Sequence, residues 1–330
     1  MIPTGSLMLR KARRIVTGRG RRADDERPPA VDFQGQCAND LIRKKLLAED
    51  PCMITRIGRV ELMTILRHGN KRNKSWLRKI YHYVKRTQET SWLDETIRFQ
   101  MRYSAGFFPC TDEALRQFSD RFLRDLTQTD VLGSWLNDEA ELAHCLAQAK
   151  TVRLVDLDPY FHRDPWSSTL SGRTVLVIHP FEASIRKQYE KRVVLFDDPQ
   201  VLPAFTLKTL KAVQSIGEKP IGFETWFDAL DWMCARVREI EFDVALIGAG
   251  AYGLPLAAYV KGLGKKAVHL GGVTQVMFGI KGKRFDERPE YRKLYNEHWT
   301  RPLAEETPAA IRLYDGAPAE APGQPNRAYW

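Results

Sequence analysis

Cysteine is scarce in this chain. The five residues, Cys37, Cys52, Cys110, Cys145 and Cys234, are odd in number and include no C-x-x-C pair. That excludes a disulfide framework and a cysteine zinc site, and it points to a reducing compartment. Long apolar runs are lacking as well. The longest stretch without a charge, Val244 to Val260, falls short of the roughly 20 residues that a bilayer span needs, and Gly248, Gly250, Gly253 and Pro255 interrupt it. The start of the chain has no continuous apolar segment ahead of a small-residue cleavage site, so no secretory signal is expected and the cytoplasm is the expected compartment. There is no internal repeat, and compositional bias is confined to the Ala/Pro/Gly-rich stretch Pro318 to Pro325.

Acidic residues are absent from residues 1–23, which hold Arg10, Lys11, Arg13, Arg14, Arg19, Arg21 and Arg22. These seven cations account for most of the net charge of +10 and leave 44 basic against 41 acidic residues in the remainder. A nearly neutral body weighs against nucleic-acid binding, which wants a basic face on the folded domain. Residues 1–35 read either as a solvated disordered tail or as a peripheral contact with the anionic surface of the inner membrane. In the second case Leu7, Met8, Leu9, Ile15 and Val16 complement cations that contribute about 1 kcal/mol each. A second acid-free stretch lies between Glu61 and Glu89. There Lys71, Arg72, Lys74, Arg78, Lys79, Lys85 and Arg86 are interleaved with Trp76, Tyr81 and Tyr83. It reads as a solvated face with an aromatic inner stripe, or as a holder for a sugar-phosphate acceptor, a lipid headgroup or RNA.

With 43% apolar and 28% charged residues, the rest has the balance of a soluble globular protein. Residues 36–150 look mainly helical, with strand candidates at Cys52 to Arg56 and Asp130 to Gly133. Helical spacing is clear in Glu89 to Met101 and in Asp112 to Leu126, with Thr111 as the expected N-cap. In residues 151–300 β-branched runs at Thr151 to Val155, Thr174 to Ile178, Asp243 to Ile247 and Lys266 to Leu270 alternate with helical patterns at Phe181 to Lys191, Thr225 to Ile240 and Tyr252 to Leu263. This alternation predicts an α/β fold, a Rossmann-like, doubly wound and mostly parallel sheet, with a largely helical N-terminal portion and a loose tail over 301–330. Ligands of such sheets bind beyond the carboxyl ends of the strands.

At those ends, Gly248-Ala249-Gly250-Ala251-Tyr252-Gly253 leads from a strand into a helix whose N–H groups suit phosphate. The spacing fits G-x-G-x-x-G, but the next strand ends in His269-Leu270-Gly271-Gly272 without the acid that holds a dinucleotide ribose. Nicotinamide chemistry is therefore disfavoured. The turn reads as a phosphate or diphosphate cradle, with a purely structural glycine turn as the alternative. His179 ends another strand, Gln275 follows Gly271-Gly272, and Lys283 and Arg284 sit close behind to neutralise phosphate. In Arg56-Ile57-Gly58-Arg59-Val60-Glu61 a strand passes through glycine into a helix. Glu61 then serves either as a base or metal ligand facing a substrate, or only as a helix-dipole partner paired with Arg56. Asp156 and Asp158 form a D-x-D pattern that can hold a divalent ion or lie in an ordinary turn at Pro159.

These residues resemble those of the GT-D-fold glycosyltransferases, a bacterial group first catalogued as a domain of unknown function. The resemblance rests on the run Arg56 to Glu61, which is similar to the family's R-F-G-D-G-E carrying a D-x-E motif, on Val175 to Phe181, and on Gly248 to Gly253 followed by Gly271-Gly272. It spans roughly residues 40 to 290. It implies a Rossmann-like fold, a nucleotide-sugar donor such as a UDP-sugar, a divalent cation (Mn or Mg), and a glycan or lipid-linked acceptor in cell-surface polysaccharide assembly. One departure stands out: Arg59 occupies the place of the motif's Asp, and an arginine cannot ligate a cation. Either Arg59 pairs with the donor diphosphate in place of the metal, or the chain is a non-catalytic binder of the same fold.

The expected enzyme is accordingly a glycosyltransferase with Glu61 as the carboxylate near the reacting groups, oriented by Arg56. The N–H groups of Gly250, Ala251, Tyr252 and Gly253 grip the diphosphate with help from Lys283 or Arg284, and His179, Gly271, Gly272 and Gln275 line the pocket. Glu61 is the first candidate metal ligand and Asp156 with Asp158 the second. A methyltransferase using S-adenosylmethionine is the remaining alternative for a glycine-rich turn.

Overall fold

The computed structural model describes residues 28–72, 94–215 and 222–307. Most of the basic N-terminal segment, the basic and aromatic stretch from Lys74 to Arg86, and Pro318 to Pro325 lie outside the described residues.

Seven parallel strands form one sheet in the order β3-β2-β1-β7-β6-β4-β5. They are β1 (Cys52–Arg56), β2 (Val131–Ser134), β3 (Lys150–Arg153), β4 (Thr174–His179), β5 (Thr206–Lys211), β6 (Val244–Ile247) and β7 (Lys266–His269). Six of these lie where β-branched runs place them. The seventh, β5, is an edge strand whose sequence TLKTLK has mostly half-buried or exposed side chains, so it carries little apolar signal. The chain therefore folds as an α/β, Rossmann-like protein.

The sheet runs across the division expected at residue 150. β1 and β2, from the helix-rich portion, pair with β7 and β3 respectively, with Ile54 beside both Val131 and Val268. Because crossovers between parallel strands are right-handed, movement towards β3 places connections on one face and movement towards β5 on the other. The first face carries α2 (Arg59–Arg72), α3 (Asp94–Tyr103), α4 (Asp112–Leu126), α6 (Trp226–Arg238) and α7 (Gly253–Gly262). The second carries α1 (Gln36–Leu47) and α5 (Glu182–Tyr189). Side chains of successive strand residues divide between the two cores accordingly: Met53, Leu176, Ile178, Ala245 and Ile247 in one, Ile54, Val175, Val177, Val244 and Leu246 in the other. A strand buried on both faces must be apolar at every position, and this explains why the central strands show runs instead of alternation.

Helix α4 begins where its sequence places it. The Thr111 hydroxyl accepts the Ala114 N–H at 3.2 Å, and Leu115, Phe118, Phe122 and Leu126 face the sheet. Thr225 and Asp228 cap α6 reciprocally. Trp226 then inserts among Phe107, Phe118 and Phe227 and stacks on Tyr252 with centroids 4.8 Å apart and planes 8° from parallel.

Trp226 is fully buried, and its indole N–H has no acceptor among the described residues. Replacing it by alanine is expected to cost about 3–5 kcal/mol, the range for emptying a large aromatic site. Trp226→Phe, which removes the unsatisfied donor and keeps most of the volume, is expected to cost clearly less. Urea denaturation of both variants checks the ordering.

Candidate functional site

β1 and β7 lie side by side in the middle of the sheet, and a crevice opens beyond their carboxyl ends. It continues as a cleft of about 180 Å³ lined from six of the seven strand ends: Arg56 at β1, Trp135 after β2, His179 at β4, Gln214 and Ser215 after β5, Gly248 after β6 and His269 at β7. Ser104 and Gly106, beyond α3, close one side.

The turn from β1 into α2 brings together the residues of the Arg56–Glu61 run. Gly58 caps the helix by accepting the Leu62 N–H at 2.9 Å, which leaves Glu61 in the first turn. The Glu61 side chain folds back over Gly58 so closely that a β-carbon there would collide with the carboxylate, and this packing accounts for the glycine in the run. Burial pushes the Glu61 pKa up, while its own backbone N–H and the Arg56 charge pull it down. A carboxylate raised in this way is a better proton acceptor than an ordinary surface Glu.

Trp135 stands over this turn. Its indole N–H donates to the Ile57 carbonyl at 2.9 Å, and the guanidinium carbons of Arg56 and Arg59 lie 5.3 Å and 5.2 Å from its ring centre. Buried Glu139 fixes the strand end that carries Trp135. Its carboxylate accepts from the Ser134 hydroxyl at 2.5 Å and from the Trp135 and Leu136 N–H groups at 3.5 Å and 3.4 Å.

The bends at the ends of β6 and β7 each turn on a glycine in the left-handed region. Ala249 has φ −128° and ψ 34°, followed by Gly250 at φ 53°. Leu270 has φ −87° and ψ −20°, followed by Gly271 at φ 65°. At the β7 bend a right-handed residue precedes the left-handed glycine, an alternation that turns successive N–H groups to one concave side and suits an anion. At the first bend the Tyr252 and Gly253 N–H groups are already used, donating to Ala249 and Gly250 carbonyls. Those of Ala249, Gly250 and Ala251 take no partner among the described residues. The unpartnered N–H groups thus begin one residue earlier than the motif suggests. Tyr252 is the floor of the bend: it is buried, stacks on Trp226, and its hydroxyl lies 3.2 Å from Ser215 Oγ. The neighbouring glycines answer to packing. A β-carbon on Gly253 would strike the His269 ring, and one on Gly248 would sit 2.7 Å from the Gly271 carbonyl oxygen and 2.5 Å from the His179 ring.

Both histidines are buried, and burial pushes each pKa down to about 3, with the Arg56 charge adding to the effect on His269. Nδ1 of His179 accepts the Phe181 N–H at 2.9 Å, so its proton is on Nε2. Nδ1 of His269 lies 2.9 Å from the Thr55 hydroxyl.

The remaining expected site residues divide. Arg284, Gly271 and Gly272 line the cleft. Lys283 opens a short helix, Lys283–Asp286, and does not line it. Gln275 is fully buried and donates to the Ile280 and Lys281 carbonyls, which makes it a brace for that loop. Asp156 receives Arg153 and the Gly35 N–H, and Asp158 receives the Tyr291 hydroxyl at 2.6 Å. Both are buried and engaged with other partners, and neither lines the cleft. Sequence reasoning gave no role to Trp135, His269, Ser104 or Ser215. The strand-end rule, applied also to the ends of β2 and β7, points to the first two.

The donor set of the cleft does not fit the divalent ion that the resemblance implies. Such an ion wants several hard oxygen ligands. Here Glu61 is the one carboxylate among the lining residues, against the guanidinium groups of Arg56, Arg59 and Arg284. Among the described residues no three His, Cys, Asp or Glu side chains come together in a way that could hold a metal.

No protein-family model and no curated protein matches the chain. A solved structure described as the selenomethionine-substituted structure of domain of unknown function 1792 is similar, with a TM-score of 0.36 and 11% identity, covering 82% of this chain and 96% of that one. Superposition at this level assigns no residue and no activity. Among the described residues no helix is long and apolar enough to cross a membrane.

With both ring pKa values near 3, neither His179 nor His269 is expected to titrate between about pH 5 and 8. Two-dimensional ¹H–¹⁵N spectra of the imidazole nitrogens should show unchanged neutral rings across that range, with His179 protonated at Nε2. Asp158 gives a prediction of opposite kind. Burial pushes its pKa up to about 7, with the Tyr291 hydrogen bond opposing. Between about pH 4 and 7 the folded chain keeps a proton that the unfolded chain has released, so this residue makes stability fall as pH rises through that window. The Asp158→Asn variant is expected to show a flatter pH profile of urea midpoints there.

Proposed function

We propose that this protein is a glycosyltransferase that moves a sugar from a nucleotide-diphosphate donor to a hydroxyl of a glycan or lipid-linked acceptor. The observation that carries the reading is the meeting, in one cleft, of a carboxylate with a raised pKa and two glycine bends at neighbouring strand ends, the first with three unpartnered backbone N–H groups. The N–H groups of Ala249, Gly250 and Ala251 would hold the diphosphate, with Gly271, Gly272 and Arg284 on its other side. Fixed donors placed where charge develops lower the barrier without any reorganisation.

In the reaction the acceptor oxygen bonds to the anomeric carbon, and the bond from that carbon to the diphosphate oxygen breaks. The electron pair stays with the leaving diphosphate, and the hydroxyl proton passes to Glu61. Arg56 keeps Glu61 ionised enough to take that proton. His179, neutral and protonated at Nε2, can donate a hydrogen bond to a sugar hydroxyl or a phosphate oxygen without adding charge. The nucleotide, the peripheral membrane contact and the acceptor remain expectations from the sequence.

A panel of UDP-sugars, NAD and S-adenosylmethionine, tested by thermal shift, is expected to give stabilisation by nucleotide sugars alone; stabilisation by S-adenosylmethionine alone would favour a methyltransferase. Glu61→Gln keeps the shape and removes the base. It is expected to lower transfer by about 10²-fold or more while moving the melting temperature by no more than about 2 °C. Donor binding without transfer in the unmodified protein would instead favour the non-catalytic reading.

A further inference from the structure

The two arginines of the Arg56–Glu61 run sit on one aromatic ring. Arg56 ends β1 and Arg59 begins α2, yet both guanidinium carbons lie within 5.3 Å of the Trp135 ring centre. The ring itself is tied down through its indole N–H to Ile57 and through the backbone N–H groups beside it to buried Glu139. Stacking on an aromatic ring leaves the in-plane N–H groups of a guanidinium available, and these match two phosphate oxygens at once. Arg59 is exposed and has no acidic partner among the described residues. Both arginines line the same cleft as the glycine bends.

We propose that Arg59, held beside Arg56 on the Trp135 ring, binds the donor diphosphate directly, so that this cleft takes a pyrophosphoryl ligand without a divalent ion. The inference rests on the reading of the ligand as a nucleotide diphosphate sugar. Its physical basis is substitution of charge: two fixed cations supply what an ion would otherwise supply, and a divalent ion would be repelled by them. Trp135 is a positioning residue, acting through the two guanidinium groups.

The test is calorimetric titration of the full chain with UDP and, separately, with inorganic pyrophosphate, each in EDTA and in manganese chloride. The unmodified protein is expected to bind both probes in EDTA, with affinity for UDP changing less than about threefold when manganese is added. Arg59→Ala is expected to weaken both probes at least about tenfold in EDTA, the size of a lost charge-assisted contact. Arg59 is exposed, so this variant is expected to fold normally. Trp135→Leu is expected to weaken them similarly, and Trp135→Phe, which keeps a stacking ring, to recover most of the affinity. Arg59→Asp is expected to abolish binding in EDTA and to restore it with manganese.

UDP binding that requires manganese in the unmodified protein, or Arg59→Ala binding both probes as the unmodified protein does, overturns the clamp and leaves the nucleotide-diphosphate reading standing. Pyrophosphate binding that depends on Arg59, with no UDP binding in any condition, supports the clamp and overturns that reading. Absence of binding by either probe overturns both.

Discussion

Everything in the cleft depends on the backbone pairing of β1 with β2 on one side and β7 on the other. Parallel strands align their carboxyl ends, and hydrogen bonding fixes neighbouring strands within a few ångströms of each other. The residue that ends or follows each strand is therefore delivered to the same edge, whatever its distance along the chain. Arg56, Trp135 and His269 meet for this reason, although 213 positions separate Arg56 from His269.

Electrostatics at that edge follow from burial and from one cation. Arg56 acts on Glu61, Glu139, Asp158 and His269, lowering each of their pKa values against or alongside the effect of desolvation. Removal from water raises the carboxylates and lowers the histidines. The cleft therefore presents neutral rings beside a carboxylate that accepts protons readily. Two further guanidinium groups, of Arg59 and Arg284, give it an excess of positive charge over the single carboxylate. A polyanionic ligand complements that arrangement, whereas a bare cation does not.

The glycines show how one motif can serve several constraints. Gly250 and Gly271 hold a left-handed backbone, which an L side chain adopts only with strain. Gly58, Gly248 and Gly253 leave room for the Glu61 carboxylate, the His179 ring and the His269 ring. G-x-G-x-x-G here is thus partly a packing device for residues that the chain supplies from elsewhere. Its unpartnered donors are the N–H groups just before the helix, because the first helical turn consumes those of Tyr252 and Gly253.

Much of the architecture was legible in the chain, because its signals are local. β-branched runs mark strands that are buried on both faces, Thr111 and Thr225 mark helix starts, and alternation of strand with helix implies a parallel sheet. β5 escaped because an edge strand buries little. The Arg56–Glu61 run, His179 and the glycine turn were legible as strand ends. The company they keep was not. Trp135 follows a short strand in a stretch that reads as helical, and nothing nearby announces that it will carry two arginines. The D-x-D pair of Asp156 and Asp158 looked like an ion site, but Arg153, Gly35 and Tyr291 reach them through tertiary contacts. Local sequence specifies which backbone conformations are affordable and which faces must leave water. The partners of a buried charge are settled only when distant segments pack, since desolvation and Coulomb energy depend on through-space distances that no spacing along the chain encodes.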